Sequence, residues 1–212
     1  WHESSNTAHW KNRPNKNTPF FSIFNLTLTH ESCINNKGKH ELFTKGLPDS
    51  LRTDPKKIKV PPYYPDNIKI RTLLKRHYDN IAMMDIVVKS LLKELEEAEE
   101  SENTIIFFYS DHGTGLPRHK RWLYDTGVKV PLIVYIPERY RDLYPDQPGS
   151  GIDQLISFID LAPTIINIVG GEIPKNMQGQ AFLGKNLKPE RDYVFVARGR
   201  MDERYDIQRG VR

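Results

Sequence analysis

Two stretches of apolar residues at strand length constrain the fold more than any other feature of this chain. The first runs from Thr104 to Tyr109 and the second from Val128 to Pro137. An unbroken apolar run is typical of a strand that is covered on both faces, whereas a strand with one solvated face alternates. The two runs therefore predict an α/β fold with a mostly parallel, mixed sheet sandwiched between helices.

A long amphipathic helix is predicted to begin at about Asp66, because apolar residues recur there at three- and four-residue spacing. These residues are Tyr78, Ile81, Met84, Val88, Leu91, Leu92 and Leu95. The stretch from Glu31 to Tyr64 shows no period and predicts a long excursion over the surface.

Further short elements are predicted on either side of these. Strands are expected at Phe20–Leu28, up to about Phe158, and within the stretch 191–199. A helix follows Phe158, with Asp160 as its N-cap and Gly170 at its stop. This alternation of strands and helices again favours the α/β class.

Composition limits the function classes. Lys plus Arg number 31 against 27 for Asp plus Glu, a net charge of +4 in 212 residues. This excess favours an anionic ligand, but it is too small and too scattered to predict a nucleic-acid partner. No apolar run reaches the roughly 18 residues that a membrane span needs. The single cysteine, Cys33, excludes an internal disulfide and a Cys-rich metal site.

Asp111 and His112 follow the first apolar run directly. In open α/β sheets, ligands bind at the carboxyl ends of the strands. A carboxylate suits a hard divalent cation, and an imidazole suits a softer one, so the two side chains predict part of a metal site. Two ligands are too few for a complete site, and an Asp that caps a turn beside a surface His is the alternative interpretation.

Four basic or titratable residues, Arg118, His119, Lys120 and Arg121, lie 7 to 10 positions after Asp111. The loop that contains them is short enough to stay over the same strand ends. A metal and cations together would make a site for a doubly charged oxyanion such as sulfate or phosphate. A solvated loop is the alternative interpretation.

Several stretches, in order, resemble the sulfatases of the alkaline phosphatase superfamily. The pattern "TIIFFYSDHGTG" followed by "RHKRWLYDTGVKVP" resembles the family's metal strand, its loop with a functional Lys, and the segment after it. "PFFSIFNLTLTH" resembles a family strand that ends in a substrate-binding His, and "SFIDLAPTIINIVGG" resembles a family helix. The resemblance implies an alkaline-phosphatase-like fold, incomplete at both ends. Residues 1–190 would belong to the catalytic domain, and residues 191–212 would begin a smaller C-terminal region.

The resemblance also implies roles for individual residues. Asp111 and His112 would bind one divalent cation, usually Ca2+. Lys120 would contact the sulfate and assist the leaving oxygen, because Tyr124 follows four residues later as the family pattern requires. His30 would bind the sulfate or protonate the leaving group. Arg118, His119 and Arg121 have no fixed role in the family; they are expected to contact substrate, with plain surface charge as the alternative.

One family motif has no counterpart in the chain. The family's nucleophile is a formylglycine made within Cys/Ser-x-Pro-x-Arg, and Cys33 lies in "ESCINN" instead. We therefore expect a formylglycine and further metal ligands upstream in a longer protein, cut at both ends here. The isolated chain is expected to have no turnover.

The predicted function is a sulfuric ester hydrolase that acts on a sulfated carbohydrate or another sulfate ester. The resemblance suggests a periplasmic or secreted protein. One alternative is a phosphodiesterase or phosphonate hydrolase of the same superfamily, which would share this half of the site. The other is a non-catalytic fragment that binds sulfated glycans.

Overall fold

The computed structural model describes residues 2–144 and 147–212. In these ranges the α-helices are α1 (Glu31–Asn35), α2 (Lys37–Phe43), α3 (Ile68–Glu97), α4 (Asp125–Val128) and α5 (Leu161–Ile168). The strands are β1 (Ile106–Tyr109), β2 (Leu132–Tyr135), β3 (Phe195–Met201) and β4 (Arg204–Val211). Short 3-10 helices connect them at Trp10–Asn12, Thr27–Thr29, Asp49–Leu51, Pro55–Lys57, Ser101–Asn103, Glu138–Leu143 and Phe158–Asp160.

The predicted long helix is present as α3. It begins after Asn67, whose side-chain oxygen accepts a hydrogen bond from the backbone N–H of Ile70 at 3.0 Å. Its buried residues are Leu74, Asp79, Asn80 and Leu95, whereas Tyr78, Ile81 and Leu92 of the predicted apolar face are exposed. Periodicity shows which side of a helix is apolar, but neighbouring segments decide which of its turns are covered.

The α/β class is confirmed, but the expected parallel pairing is not found within the described residues. β1 pairs with β2 antiparallel, with Phe107 opposite Val134. β3 pairs with β4 in a second, antiparallel sheet, with Phe195 opposite Val211. The predicted cover on both faces is not found for β2, where Ile133 and Tyr135 are exposed. An apolar run indicates strand propensity, but it does not specify the direction of the partner strand.

Two of the predicted strands are wrong. The stretch 20–28 contains no strand and ends in the 3-10 helix Thr27–Thr29. The residues up to Phe158 lead into the 3-10 helix Phe158–Asp160. β-Branched and aromatic composition indicates strand propensity, but a strand also needs a partner for its backbone groups.

The helix predicted after Phe158 is present as α5, and Gly170 follows it with a φ of +76°. Asp160 lies at its start, but the carboxylate of Asp160 does not cap it. Instead the carboxylate accepts hydrogen bonds from the backbone N–H of Ser157 at 2.7 Å and of Gln180 at 2.9 Å. Asp160 thus connects α5 to the segment that follows it.

The stretch predicted as a surface excursion, residues 31–64, supplies much of the core. Ile34, Ile58 and Tyr64 are buried and pack with Leu74 of α3 and Leu116. α1 and α2 span 5 and 7 residues, which is too short to display a helical period in the sequence. This correction matters for function, because α1 carries residues of the candidate site.

No helix in the described part of the chain is long and apolar enough to cross a membrane. The hairpin β3–β4 pairs with itself rather than with the β1–β2 sheet. The division of the chain at residue 190 stays a prediction.

Candidate active site

The predicted metal pair lies directly after β1. Nδ1 of His112 lies 2.6 Å from the carbonyl oxygen of Gly113, so Nδ1–H donates to that oxygen and Nε2 keeps its lone pair. Nε2 lies 3.5 Å from Oδ2 of Asp111, whose side chain is 83% exposed. A carboxylate oxygen and an imidazole nitrogen thus converge on open space at the end of the strand.

This donor pair fits part of a divalent cation site. Carboxylate oxygen is the ligand that calcium prefers, and a hydrogen-bonded imidazole is the usual form of a ligating histidine. Within residues 2–144 and 147–212 no group of three or more His, Cys, Asp or Glu side chains is arranged to hold a metal ion. The pair alone therefore leaves most of the coordination shell to other ligands.

Glycines shape the loop that follows the pair. The backbone N–H of Gly113 donates to the carbonyl oxygen of Gly127 at 3.0 Å, which brings the two ends of the loop together. A Cβ atom at Gly113 would overlap the carbonyl oxygen of Thr126, and one at Gly127 would overlap that of His119. The close backbone approach explains why glycine stands at both positions.

Glu31, in the first turn of α1, holds two of the predicted cations. Its carboxylate accepts hydrogen bonds from both terminal nitrogens of Arg121 at 3.0 Å, and from Nζ of Lys120 at 3.1 Å. The bond from Arg121 is the main cause that lowers the pKa of Glu31 to about 2; burial opposes it, and Lys120 adds to it. The side chain of Glu31 is 20% exposed and that of Lys120 is 19% exposed, whereas Arg121 lies on the solvent side of the cluster and is exposed.

His30 lies one residue before Glu31 and caps α1. The backbone N–H of Ser32 donates to Nδ1 of His30 at 3.2 Å, so Nδ1 is the unprotonated nitrogen and Nε2 carries the proton. The imidazole is exposed. Lys120 binds the carboxylate of Glu31, so this lysine lies near the residue that follows His30, although Lys120 and His30 are 90 positions apart in the sequence.

Arg118 and His119 face a different segment, residues 63–64. The guanidinium carbon of Arg118 lies 5.1 Å from the ring centroid of Tyr63 and 4.5 Å from that of Tyr124. Nε2 of His119 lies 3.2 Å from the hydroxyl oxygen of Tyr63. Burial, more than the charge of Arg118, lowers the pKa of His119, while a hydrogen bond with the backbone of Thr126 opposes the shift.

The hairpin β3–β4 supports the loop from its other side. Buried Arg198 donates to the carbonyl oxygen of Arg121 at 2.6 Å, and its guanidinium lies 4.9 Å from the ring centroid of Trp122. Asp202, at the hairpin turn, pairs with Nε of Arg121 at 2.8 Å. These contacts fix the backbone immediately after Lys120.

Backbone conformation marks the same loop. Arg118 and Arg121 have φ values of +72° and +73°, in the left-handed region that non-glycine residues rarely adopt. The two strained residues flank His119 and Lys120. Strain of this kind persists only where surrounding contacts enforce it, and it is typical of functional loops.

Sequence reasoning missed Glu31, Tyr63 and Arg198. Each acts across a large sequence separation, so no local pattern indicated its contacts with the site. The one signal available was charge: an acidic residue directly after His30 is a natural partner for a distant basic cluster. The metal-binding, catalytic and substrate-binding roles that the sequence predicted stay predictions.

Comparisons with known proteins bear on this arrangement. The sequence profile of the family described as Sulfatase matches residues 6–171. An ulvan-active sulfatase from Formosa agariphila is 38% identical over 239 residues, covering 100% of this chain and 39% of that protein. The N-acetylglucosamine-6-sulfatase of Bos taurus is 38% identical over 115 residues, covering 51% of this chain and 19% of that protein. The chain thus spans well under half the length of these relatives.

A solved structure, the phosphonate monoester hydrolase of Silicibacter pomeroyi, resembles this one with a TM-score of 0.51 and 22% identity. The alignment covers 79% of this chain and 33% of that one. This likeness concerns the fold, which is alkaline-phosphatase-like. The profile match over residues 6–171 and the 38% identity to the Formosa agariphila protein across the whole of this chain show that the chain belongs to the sulfatase family.

Proposed function

We propose that the natural protein containing this chain is a sulfuric ester hydrolase that releases sulfate from a sulfated carbohydrate. The observation that carries the proposal is the contact between the loop after β1 and α1, in which Nζ of Lys120 donates to the carboxylate of Glu31, the residue after His30, at 3.1 Å. The Asp111–His112 pair begins the same loop. Relatives named as sulfatases of carbohydrate substrates support the substrate class. A family often found outside the cytoplasm supports a periplasmic or secreted location.

Asp111 and His112 would hold one side of a calcium ion, through the carboxylate and Nε2. When bound, such an ion supplies positive charge that stabilises the sulfate oxygens in the transition state. Nε2 of His112 is available for this because Nδ1–H is already committed to the carbonyl oxygen of Gly113.

Lys120 is proposed to bind the sulfate or the leaving oxygen. Its ammonium has three N–H donors, and one of them reaches Glu31, so the carboxylate orients Nζ while other N–H bonds stay available to the ester. A fixed positive charge costs no reorganisation as negative charge develops on the leaving oxygen.

His30 is proposed to donate a hydrogen bond to the sulfate or the leaving oxygen. Because Nδ1 accepts from the N–H of Ser32, the proton of the neutral imidazole lies on Nε2, which is the nitrogen that can donate. Arg118, His119 and Arg121 are proposed to contact substrate, although Arg121 is also bound to Glu31 and Asp202.

The nucleophile of the natural protein is proposed to be a formylglycine outside these 212 residues. Cys33 does not offer an alternative, because it is fully buried and its Sγ lies 3.7 Å from the carbonyl oxygen of Thr27. We therefore expect no sulfate release from the isolated chain. Measurable turnover by the purified 212-residue polypeptide would contradict this.

The test compares sulfate and phosphoryl substrates with the natural full-length protein. We expect sulfate release from sulfated oligosaccharides, and little hydrolysis of phosphodiesters or phosphonate monoesters of matched leaving group. Lys120→Ala should lower kcat/KM by about a hundredfold or more. Lys129→Ala, which removes an exposed lysine nine residues further on, is the matched control. Preference for the phosphorus esters, or equal effects of the two variants, would overturn the proposal.

A further inference from the structure

Arg118 differs from Lys120 and Arg121, the other two cations of this loop, in the groups that contact its charge. Lys120 and Arg121 both donate to Glu31, and Arg121 also pairs with Asp202. Within residues 2–144 and 147–212, Arg118 forms no ion pair with any carboxylate; its guanidinium lies against two tyrosine rings instead. An exposed guanidinium without a carboxylate partner keeps its full capacity to bind an added anion.

The guanidinium of Arg118 is held in place before any ligand arrives. It lies between the rings of Tyr63 and Tyr124, at 5.1 Å and 4.5 Å from their centroids. The carbonyl oxygen of Arg118 accepts a hydrogen bond from the hydroxyl of Thr126 at 2.5 Å, which fixes the backbone in its left-handed conformation. A receptor that is already ordered loses little side-chain entropy on binding.

Tyr63 and Tyr124 are each held by contacts with further residues. Tyr63 reaches Nε2 of His119 and packs edge-on against Tyr64, whose hydroxyl donates to the carbonyl oxygen of Pro117 at 2.5 Å. The ring of Tyr124 stacks on Trp122, with centroids 5.9 Å apart and an interplanar angle of 16°. Arg118 and Trp122 thus both lie against the ring of Tyr124.

The surface they form with Arg118, here called the Arg118 platform (Tyr63, Arg118 and Tyr124), is open to solvent. Tyr63 is 38% exposed and Tyr124 is 46% exposed. The exposed atoms of the two tyrosines offer a sugar apolar contact, and a guanidinium fork matches the two oxygens of a sulfate or carboxylate. The platform therefore has the chemistry of a site for an anionic sugar.

The platform and Lys120 present their charges at different points of the same loop. Lys120 is directed to Glu31 of α1, whereas Arg118 is directed to Tyr63 and Tyr124, and the two sets of partners share no residue. A single sulfate held at Lys120 would leave the guanidinium of Arg118 for a second anionic group.

We propose that the Arg118 platform is a subsite for a second anionic sugar, next to the sugar whose sulfate ester is cleaved. The inference rests on the proposed function and narrows its substrate class: an oligosaccharide with a sulfate or carboxylate on neighbouring units, rather than an isolated monosaccharide sulfate. The second anion binds the guanidinium of Arg118, and the sugar that carries it contacts the exposed atoms of Tyr63 and Tyr124.

The test uses the natural full-length protein and two probes, a disaccharide with an anionic group on each sugar and a monosaccharide with one sulfate ester. Binding is measured by calorimetry, and hydrolysis is measured separately as sulfate release. Arg118→Gln should weaken disaccharide binding about tenfold, the loss of one charge-assisted bidentate contact. Its effect on the monosaccharide should be at least about fivefold smaller.

Two further variants separate the subsite from a folding defect. Arg118→Lys keeps the charge but not the planar fork, so disaccharide affinity should fall between wild type and Arg118→Gln while the melting temperature stays within a few degrees of wild type. Arg139→Gln removes another arginine that lies over a tyrosine, 5.0 Å from the ring centroid of Tyr140, and should leave both affinities unchanged. Equal losses for the two probes, or no loss with Arg118→Gln, would overturn the subsite.

Failure of the subsite and failure of the proposed function give different results. A protein that binds the disaccharide in an Arg118-dependent manner but releases no sulfate retains the subsite and refutes the hydrolase. A protein that cleaves both probes with the same Arg118-independent efficiency retains the hydrolase and refutes the subsite. A wild-type protein that binds neither probe refutes the subsite as well.

Discussion

The carboxylate of Glu31 accepts a hydrogen bond from the ammonium of Lys120 at 3.1 Å, across 89 positions of sequence. This contact joins the first turn of α1 to the loop after β1. Glu31, an acidic residue that the sequence did not predict as part of the site, thus contacts two of the predicted basic residues, Lys120 and Arg121. Both the position of Lys120 and the stability of the loop should therefore depend on Glu31.

Glu31→Gln should lower the free energy of unfolding by about 1–3 kcal/mol, because three charge-assisted hydrogen bonds to a partly buried carboxylate would lose their anion. Urea denaturation measures this. The control is Glu41→Gln, which removes a 62% exposed carboxylate paired with Lys37 at 3.6 Å. That variant should change stability by at most about 0.5 kcal/mol. Equal effects in the two variants would show that the Glu31 cluster contributes no more than a surface pair.

Gly115→Ala should disrupt the same contact without changing any charge. A Cβ atom at Gly115 would overlap the Cβ of Glu31, so α1 and the loop could not approach as closely as they do. We expect a loss of about 1–3 kcal/mol, of the size seen for overpacking. Gly151→Ala is the control, because nothing lies within 4 Å of the added atom there. Thermal unfolding of both variants decides the point, and a melting temperature for Gly115→Ala as high as that of the control would contradict the packing.

Stability should fall between about pH 6.5 and pH 4 because of His77. Burial, and secondarily the charge of His119, lowers the pKa of His77 from 6.5 to about 4. The unfolded chain thus binds the proton more readily than the folded one in this range, so the stability contribution is present above pH 6.5 and is lost as the pH falls towards 4. The loss amounts to about 3 kcal/mol at most.

Denaturation at a series of pH values tests this with His77→Phe, which removes the titrating group and keeps an aromatic ring. The variant should show a shallower fall from pH 6.5 to pH 4 than wild type. The carboxylate of Glu31 affects stability in a different pH range. Its pKa is lowered from 4.5 to about 2, so its contribution to the free energy of unfolding is lost only below about pH 4.5. Parallel curves for wild type and His77→Phe would exclude His77 as the cause.

Calcium affinity of the full-length protein should depend on Asp111. Asp111→Asn removes the charged oxygen donor of the pair and should weaken calcium binding about tenfold or more, measured by calorimetry without substrate. Asp153→Asn changes another exposed carboxylate and is the control. Unchanged affinity in Asp111→Asn would remove this residue from the metal site.

Local features of the site could be predicted from sequence, and long-range ones could not. Asp111 and His112 follow a strand directly, so their place at its end depended only on recognising β1. The direction of the strand's partner could not be predicted, since Phe107 lies opposite Val134 in an antiparallel register that no apolar run encodes. The strand predicted at Phe20–Leu28 is absent, because amino-acid composition does not show whether a partner strand lies alongside.

The sequence by itself determined the long helix, the apolar strands, the order of the family's motifs and the placement of Lys120 in the loop before Tyr124. These depend on periodicity and on neighbours in the chain, which are local. Only the tertiary structure decided that Glu31 binds Lys120 and Arg121, that Tyr63 lies against Arg118, and that Arg198 supports the loop. The reason is physical: ion pairs and ring contacts form between whichever segments the packing of the core brings together. Here Leu116 of the loop packs in one cluster with Ile34 of α1 and Tyr64.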